Sequence, residues 1–365
     1  MTDALRTAFH DVQLARGASF VEEGGWYWSV SFGDPDGEYA AVRDGVGMWD
    51  VSPLNKWEFR GPDAVEAAQR VHSNDILGLE VGQVRYGAFL DEDGLLVDDG
   101  TVFKHGDDRL WVMTNGMEHA EYFAEATKGL DVSVDYIALE LPNMQIHGPR
   151  SRELMRSLTD ADVDSLGYFR FTPEPVTVGG VPVWLSRTGF SGELGFELFL
   201  RPEHADDLWA AVEGAGATPY GVEVIEPLRV ETGMVVTDYD YHEHERTPYD
   251  LGMERVVALD APGEFMGKDR LLEVAADPPN SFKTLRVDGD SPTEYGATVT
   301  KDGEEVGVLT SPAISPRFGN IGLAILRSDA ARDGSTVEVA LGDGTVNATV
   351  DVLALYDPQK RRPRS

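Results

Sequence analysis

The chain of 365 residues contains no cysteine. Disulfides, thiolate metal sites and cysteine nucleophiles are therefore excluded. Lysine is scarce: only seven of the 31 basic residues are lysine, and the rest are arginine. No apolar run approaches the roughly 18 residues that a membrane helix needs, so no membrane span is expected. Met1 to Arg16 lack a secretory apolar core, and a cytoplasmic protein is expected. The chain also lacks G-x-S-x-G, the P-loop signature and G-x-G-x-x-G, which argues against a serine hydrolase or a nucleotide fold.

What is abundant is acid. Sixty-four acidic residues give a net charge of −33. The charge is dispersed from Asp3 to Asp357 rather than gathered in a tail, and a short basic stretch, Lys360-Arg361-Arg362-Pro363-Arg364, ends the chain. A dispersed acidic surface poor in lysine is the pattern expected of a protein adapted to high salt, a halophilic one. Nucleic acid is not an expected partner, because phosphates reward Lys and Arg.

Hydrophobic content of 42% is ordinary for a globular chain, and the length allows sizeable cores. No fixed-period repeat is present. Helices are expected at residues 39–44, 63–73, 117–129, 151–158, 204–216, 224–232 and 267–275. Strands are expected at 56–60, 83–90, 95–104, 109–114, 131–140, 144–147, 176–178, 181–187 and 195–200. Gly179-Gly180 reads as a tight hairpin, and Asp93-Gly94 turns one strand into the next. After Pro278-Pro279-Asn280 the text becomes strand–turn–strand, which predicts a small β-barrel. The expected division is therefore residues 1–281 and 282–365, the first part holding two interleaved lobes.

Four stretches hold residues that could carry chemistry. Ser186 to Glu197 packs three glycines, Arg187, Glu193 and Glu197 between β-rich flanks. Such glycines let a backbone bend and approach a ligand. Asp98-Asp99 lies on a strand, so only one of the two can face a given cavity. An inward aspartate would have a raised pKa and could act as a general base, but from the residues alone a solvated turn is the readier reading. Arg229, in a helix before Gly233, is either a cleft guanidinium suited to a carboxylate or a surface ion pair. Asp238 to Glu245 alternates acids with His242 and His244, and reads as a solvated acidic loop rather than a metal site.

Taken in order, these segments resemble the tetrahydrofolate-dependent aminomethyltransferases, the T-protein family of glycine cleavage, and their demethylase relatives. Arg187-Thr188-Gly189-Phe190-Ser191-Gly192-Glu193 is similar to R-T-G-Y-T-G-E, with Phe190 where the motif has tyrosine. Gly47-Met48-Trp49-Asp50-Val51-Ser52 resembles G-x-F-D-V-S, and Gly94 to Asp99 resembles G-G-x-x-D-D. Met144 to Pro149 resembles A-x-Q-G-P with His147 as an extra. Leu228 to Met234 resembles L-R-L-E-A-G-M, and Phe265 to Lys268 resembles F-I-G-K. The motif's H-M-G after D-V-S is replaced by Pro53-Leu54-Asn55-Lys56.

The resemblance implies an α+β, three-lobed folate-binding fold with a C-terminal β-barrel, and a one-carbon transferase using tetrahydrofolate. By motif position it implies Asp99 as the catalytic aspartate, Glu197 as the acceptor for the pterin's amino edge and Arg229 as the arginine beside the folate. Tyr86 and Phe103 would line the channel, Phe190 would sit at the pterin site, and Tyr168 or Phe169 near the ring. No metal is implied. The donor is a lipoyl carrier protein or a small methyl donor such as a sulfonium, methylamine or methoxy compound. A non-catalytic folate-binding subunit is the alternative outside the enzyme class.

Self-repulsion among 64 carboxylates is screened by salt. The melting temperature should fall on dialysis below about 0.5 M salt, a range in which screening is progressively lost. A melting temperature unchanged by desalting would refute the halophilic reading.

Overall fold

The computed structural model describes residues 4–116 and 119–365. Two sheets and a barrel make the frame. The six-stranded sheet runs in the order Val176–Val178, Val181–Ser186, Gly195–Leu200, Asn143–His147, Gly47–Asp50 and Thr218–Pro219. The five-stranded sheet runs Val84–Leu90, Leu96–Gly106, Arg109–Thr114, Asn55–Arg60 and Ser133–Tyr136. The chain crosses from one sheet to the other between Asp50 and Asn55 and returns between Tyr136 and Asn143, so the two lobes interleave.

The central strands of the six-stranded sheet, Gly195–Leu200 and Asn143–His147, are buried at every position. Both faces are covered, so their sequence is a continuous run rather than an alternation. Helix Ala205–Gly214 puts Leu208, Trp209 and Val212 into the same core as Phe196, Leu198 and Leu200. Helices Ala64–Val71 and Ala120–Ala126 pack Ala67, Val71 and Phe123 on the five-stranded sheet.

The closed barrel contains Asn280–Val287, Ala297–Lys301, Glu304–Ser315, Gly319–Arg327, Thr336–Leu341 and Gly344–Asp351. The expected α+β architecture with a terminal barrel is therefore present. Among the described residues, no helix is long and apolar enough to cross a membrane.

Most expected elements appear within two or three residues of their expected bounds, and several differences are instructive. Helix His10–Ala15 was not anticipated; it is six residues long and has no side-chain cap. Strand Gly47–Asp50 was missed because all four residues are buried, which erases any period-2 signal. The expected strand 131–140 shortens to Ser133–Tyr136, where pairing with Asn55–Arg60 ends. The start of the expected helix 117–129 falls on residues 117 and 118, outside the described residues; the helix runs Ala120–Ala126.

A buried ionic cluster ties the six-stranded lobe to the barrel. Helix Pro35–Asp44 is opened by Asp34, which accepts from the Gly37 amide, and by Pro35. Near its end, Arg43 is 1% exposed. Its guanidinium donates to Glu231 at 2.7 and 3.0 Å, to Glu193 at 3.1 Å and to the carbonyls of Ser191 and Leu228. Glu231 also accepts from Tyr39 and from the barrel's Ser315, and Glu193 from Tyr356 and Arg362. One arginine thus fastens the glycine-rich loop, helix Val222–Thr232, the barrel and the C-terminal segment. Removing one partner of a buried pair leaves the other charged and unpaired, which costs about 3–5 kcal/mol. Arg43→Met should lower unfolding free energy by that order in denaturant titrations. A loss below about 1 kcal/mol, the surface ion-pair range, would mean that Arg43 is not holding the barrel to the six-stranded lobe.

Candidate functional site

Strand Leu96–Gly106 places Asp98 and Asp99 on opposite faces. Both are buried, so neither lies in a solvated turn. Asp98 turns toward the loop after Arg109–Thr114. It accepts from the backbone amides of Asp99, Asn115 and Gly116, from the Asn115 side chain and from His119 at 2.7 Å. Asp99 turns the other way and receives two phenols, Tyr86 at 2.8 Å and Tyr241 at 2.5 Å. Burial, with Asp98 adding its charge, pushes the Asp99 carboxyl up to about 7. The Tyr86 and Tyr241 phenols are raised well above the usual tyrosine value, first by burial and then by Asp99, so both remain neutral donors.

Tyr241 was not among the expected site residues. It belongs to the Asp238–Glu245 stretch, whose expected solvation is overturned at Asp240 and Tyr241, 2% and 3% exposed. His244 instead bonds Asp91 at 2.7 Å, and His242 lies 3.5 Å from Asp238. The missed signal was the tyrosine alternating with the acids, which was read only for its histidines.

Glu197 lies on strand Gly195–Leu200, opposite Ser186 on one side and Gln145 on the other. Thr188 donates to it at 2.7 Å and the Gln145 amide donates to its other oxygen. Burial raises its pKa, and the Lys56 ammonium is the charge that opposes this. Lys56 is itself fully buried, donating to the carbonyls of Ser52 and Leu54, and burial pulls its amine down to about 7. The crossover strand Asn55–Arg60 also reaches the backbone of Asp99. Asn55 donates to the Asn115 carbonyl, Asn115 donates to the Asp99 carbonyl, and Lys56 follows Asn55.

The remaining expected residues divide. Tyr86 touches Asp99 directly. Phe190 packs partly buried against a cluster that includes Trp49, Tyr39 and Tyr220. Tyr168 and Phe169 form an edge-to-face pair at 4.7 Å, and Phe169 holds φ at 58°, an uncommon conformation for a bulky residue. The Phe169 carbonyl accepts from Val84 and its amide donates to the Arg187 carbonyl, so this turn bridges the two sheets.

Phe103 differs from expectation. It is 1% exposed, packed edge-on against Phe171 and Phe199, and lines a core rather than a channel. Arg229 differs too. It does not point into a cleft: Glu226, Asp240, Ser311 and the Met234 carbonyl take its five N–H donors. It sits behind the site, anchoring the loop that carries Tyr241. Among the described residues, no group of three or more His, Asp or Glu is arranged to hold a metal ion.

With this geometry in place, comparison with known proteins is informative. Residues 9–261 match the model for the GCVT N-terminal domain, and residues 281–357 match the glycine cleavage T-protein C-terminal barrel domain. The chain belongs to the glycine cleavage T-protein family.

A probable aminomethyltransferase of Halobacterium salinarum is 33% identical, over 97% of this chain and 99% of that protein. The aminomethyltransferase of Streptomyces coelicolor is 33% identical over 98% and 96%. The trimethylamine-oxide aldolase of Ruegeria pomeroyi is 34% identical over 99% of this chain, which spans 48% of that protein. The crystal structure of the glycine cleavage system aminomethyltransferase T from Bartonella henselae has the same fold, with a TM-score of 0.86 at 21% identity, over 97% of this chain and 98% of that one. The protein is an enzyme, a transferase of the T-protein type.

A carboxyl whose folded pKa is raised favours the protonated form in the fold. Its stabilising effect is complete below the unfolded pKa, near 3.8, and is lost as pH rises through about 7. Asp99→Asn should therefore gain stability relative to the parent at pH 8 and less so at pH 5.5. Equal differences at both pH values, measured by denaturant titration, would refute a raised Asp99.

Proposed function

We propose that the protein transfers a one-carbon unit from a donor to tetrahydrofolate. The observation that carries this reading is the Asp99 carboxyl, buried, near neutral pKa and oriented by two phenols. The residues present fit a reduced folate. Glu197 has two donors on four lone-pair positions, leaving acceptor capacity for a ring N–H edge. Phe190, Tyr168 and Phe169 supply partly buried aromatic surface for a flat ring.

When bound, tetrahydrofolate supplies the nitrogen nucleophile that takes up the one-carbon unit. The chain's own residues do the rest. Glu197 accepts from the ring's amino edge and fixes its orientation. Asp99 holds or releases a proton near neutrality and offsets positive charge developing beside it. Tyr86 and Tyr241 donate to the ionised form of Asp99 and keep its oxygens in one orientation. Asp98, saturated by five donors, holds the strand and supplies the negative field that raises Asp99. Arg229 stiffens the Tyr241 loop from behind. Positioning donor and acceptor together is the larger part of such catalysis.

The donor of first choice is an aminomethyl-lipoyl carrier protein, in keeping with the aminomethyltransferases among the relatives. A small methylated compound is the second reading. It is favoured by Pro53-Leu54-Asn55-Lys56, which replaces the H-M-G of the resembling motif with two buried polar side chains, Asn55 and Lys56. The acidic composition supports a salt-rich cytoplasm as the setting.

Incubation with tetrahydrofolate and each donor class in high salt tests the proposal. Methylene-tetrahydrofolate formed from the carrier supports the first donor, and methyl-tetrahydrofolate formed from a small compound supports the second. Asp99→Asn should lower kcat by about 10²-fold or more, the general acid–base range, with folate binding retained. Undiminished turnover in Asp99→Asn would refute the assignment of Asp99.

A further inference from the structure

The seam between the six-stranded lobe and the barrel holds a cleft of about 400 Å³. Small-molecule sites commonly measure roughly 300–1,000 Å³. Its walls come from the N-terminal halves of helices Pro35–Asp44 and Val222–Thr232 and from two barrel segments, residues 292–295 and 312–316. Asp99, Glu197, Tyr86 and Tyr241 take no part in lining it, so it is distinct from the site described above.

The lining carries charge of one sign. Asp36, Glu223 and Glu226 are its acids, and none of the described residues that line it is Lys, Arg or His. Asp36 and Glu223 are exposed and stand in the first turns of their helices, where the helix dipole favours an ionised carboxylate. Glu226 accepts from Arg229 at 2.9 Å on each oxygen and from the Tyr295 phenol at 3.0 Å. A carboxylate has about four lone-pair positions, so acceptor capacity remains. Thr293 borders the cleft and is 5% exposed, and its hydroxyl finds no hydrogen-bond partner among the described residues. A buried hydroxyl left unpaired is costly, and a donor arriving in the cleft would relieve that cost.

The rest of the wall is apolar. Five prolines line it, together with Ile314, which is 47% exposed. Tyr295 is 48% exposed, and its ring lies 5.2 Å from that of Tyr239. Exposed hydrocarbon set beside unpaired carboxylates suits a ligand that has both an apolar body and a positive charge.

We propose that the cleft binds an alkylammonium, an organic cation with a hydrocarbon body. The ammonium N–H groups donate to Glu226 and to the Thr293 hydroxyl. Asp36 and Glu223 supply the attracting field, and the Tyr295 ring offers its face to the cation. The hydrocarbon lies on the prolines and Ile314. An anion of the same shape is repelled, and a neutral analogue keeps only the apolar contact. The proposal goes beyond the folate reading and does not depend on it.

Ligand-observed NMR with n-hexylammonium, hexanol and hexanoate tests it. The salt is the lowest in which the parent keeps its melting transition, because screening weakens exposed charge pairs. The parent should bind n-hexylammonium at least about fivefold more tightly than hexanol, and should not bind hexanoate. A double variant, Asp36→Asn with Glu223→Gln, changes only exposed side chains outside the catalytic site. It should reduce the preference for the ammonium over the alcohol by about fivefold, the range of exposed ion pairs. Thr293→Val should weaken n-hexylammonium by about fivefold, the value of one hydrogen bond, and leave hexanol unchanged. Asp99→Asn should bind n-hexylammonium as the parent does. Equal binding of ammonium and alcohol by the parent overturns the proposal, as does a preference unchanged in the double variant. Loss of n-hexylammonium binding in Asp99→Asn would put the cation at the other site and overturn it too.

Discussion

The frame of this protein depends on buried charge that is paired on several sides at once. Arg43 is the central case, a guanidinium without solvent that meets two carboxylates, two carbonyls and the ring of Tyr356. Its partners come from the glycine-rich loop, helix Val222–Thr232 and, through shared carboxylates, the barrel and the C-terminal segment. A lone buried charge is prohibitive, so the six-stranded lobe and the barrel must meet in an arrangement that brings these partners to Arg43. Arg229 repeats the device on the next face of the same helix, with Glu226, Asp240 and Ser311. Lobe geometry is thereby set by satisfaction of polar groups as much as by apolar burial.

The site uses the opposite condition. Asp99 is buried without a cation among its direct partners, and receives only two neutral phenols. Its neighbour Asp98 is saturated and its charge is felt across the strand. The period-2 geometry of a strand separates adjacent carboxylates onto two faces, one structural and one chemical. The raised Asp99 follows from that separation plus burial. Around Glu197 the same incompleteness appears in another form, with a donor supplied by Gln145 and an acceptor left over.

Much of this was legible in the chain. The hairpins at Gly179-Gly180 and Asp93-Gly94, the helix at 151–158 and the barrel strands are local features that turn chemistry and periodicity encode. Asp99 and Glu197 were named through the family resemblance, because the residues alone left open which of Asp98 and Asp99 turns toward a cavity. Phe103 and Arg229 were not correctly placed. A strand phenylalanine can face a core or a channel without any change in pattern, and the packing of Phe171 and Phe199 decided it. Arg229 looked free because its main partner beyond the helix, Asp240, lies eleven residues away in a stretch that read as solvated. Tyr241 was missed for the same reason: its partner Asp99 is 142 residues distant.

Composition, motif order and local periodicity by themselves determined the acidic character, the terminal barrel and the family resemblance, and through that resemblance the α+β class. Each depends on residues near one another in the chain. Tertiary structure alone decided that Arg43 fastens the barrel to the six-stranded lobe, that Tyr241 joins Tyr86 on Asp99, and that Trp49, Gln145 and Glu197 share a row. Those are contacts between distant segments, specified by strand register and by the need to satisfy buried polar groups, and a one-dimensional reading does not carry either.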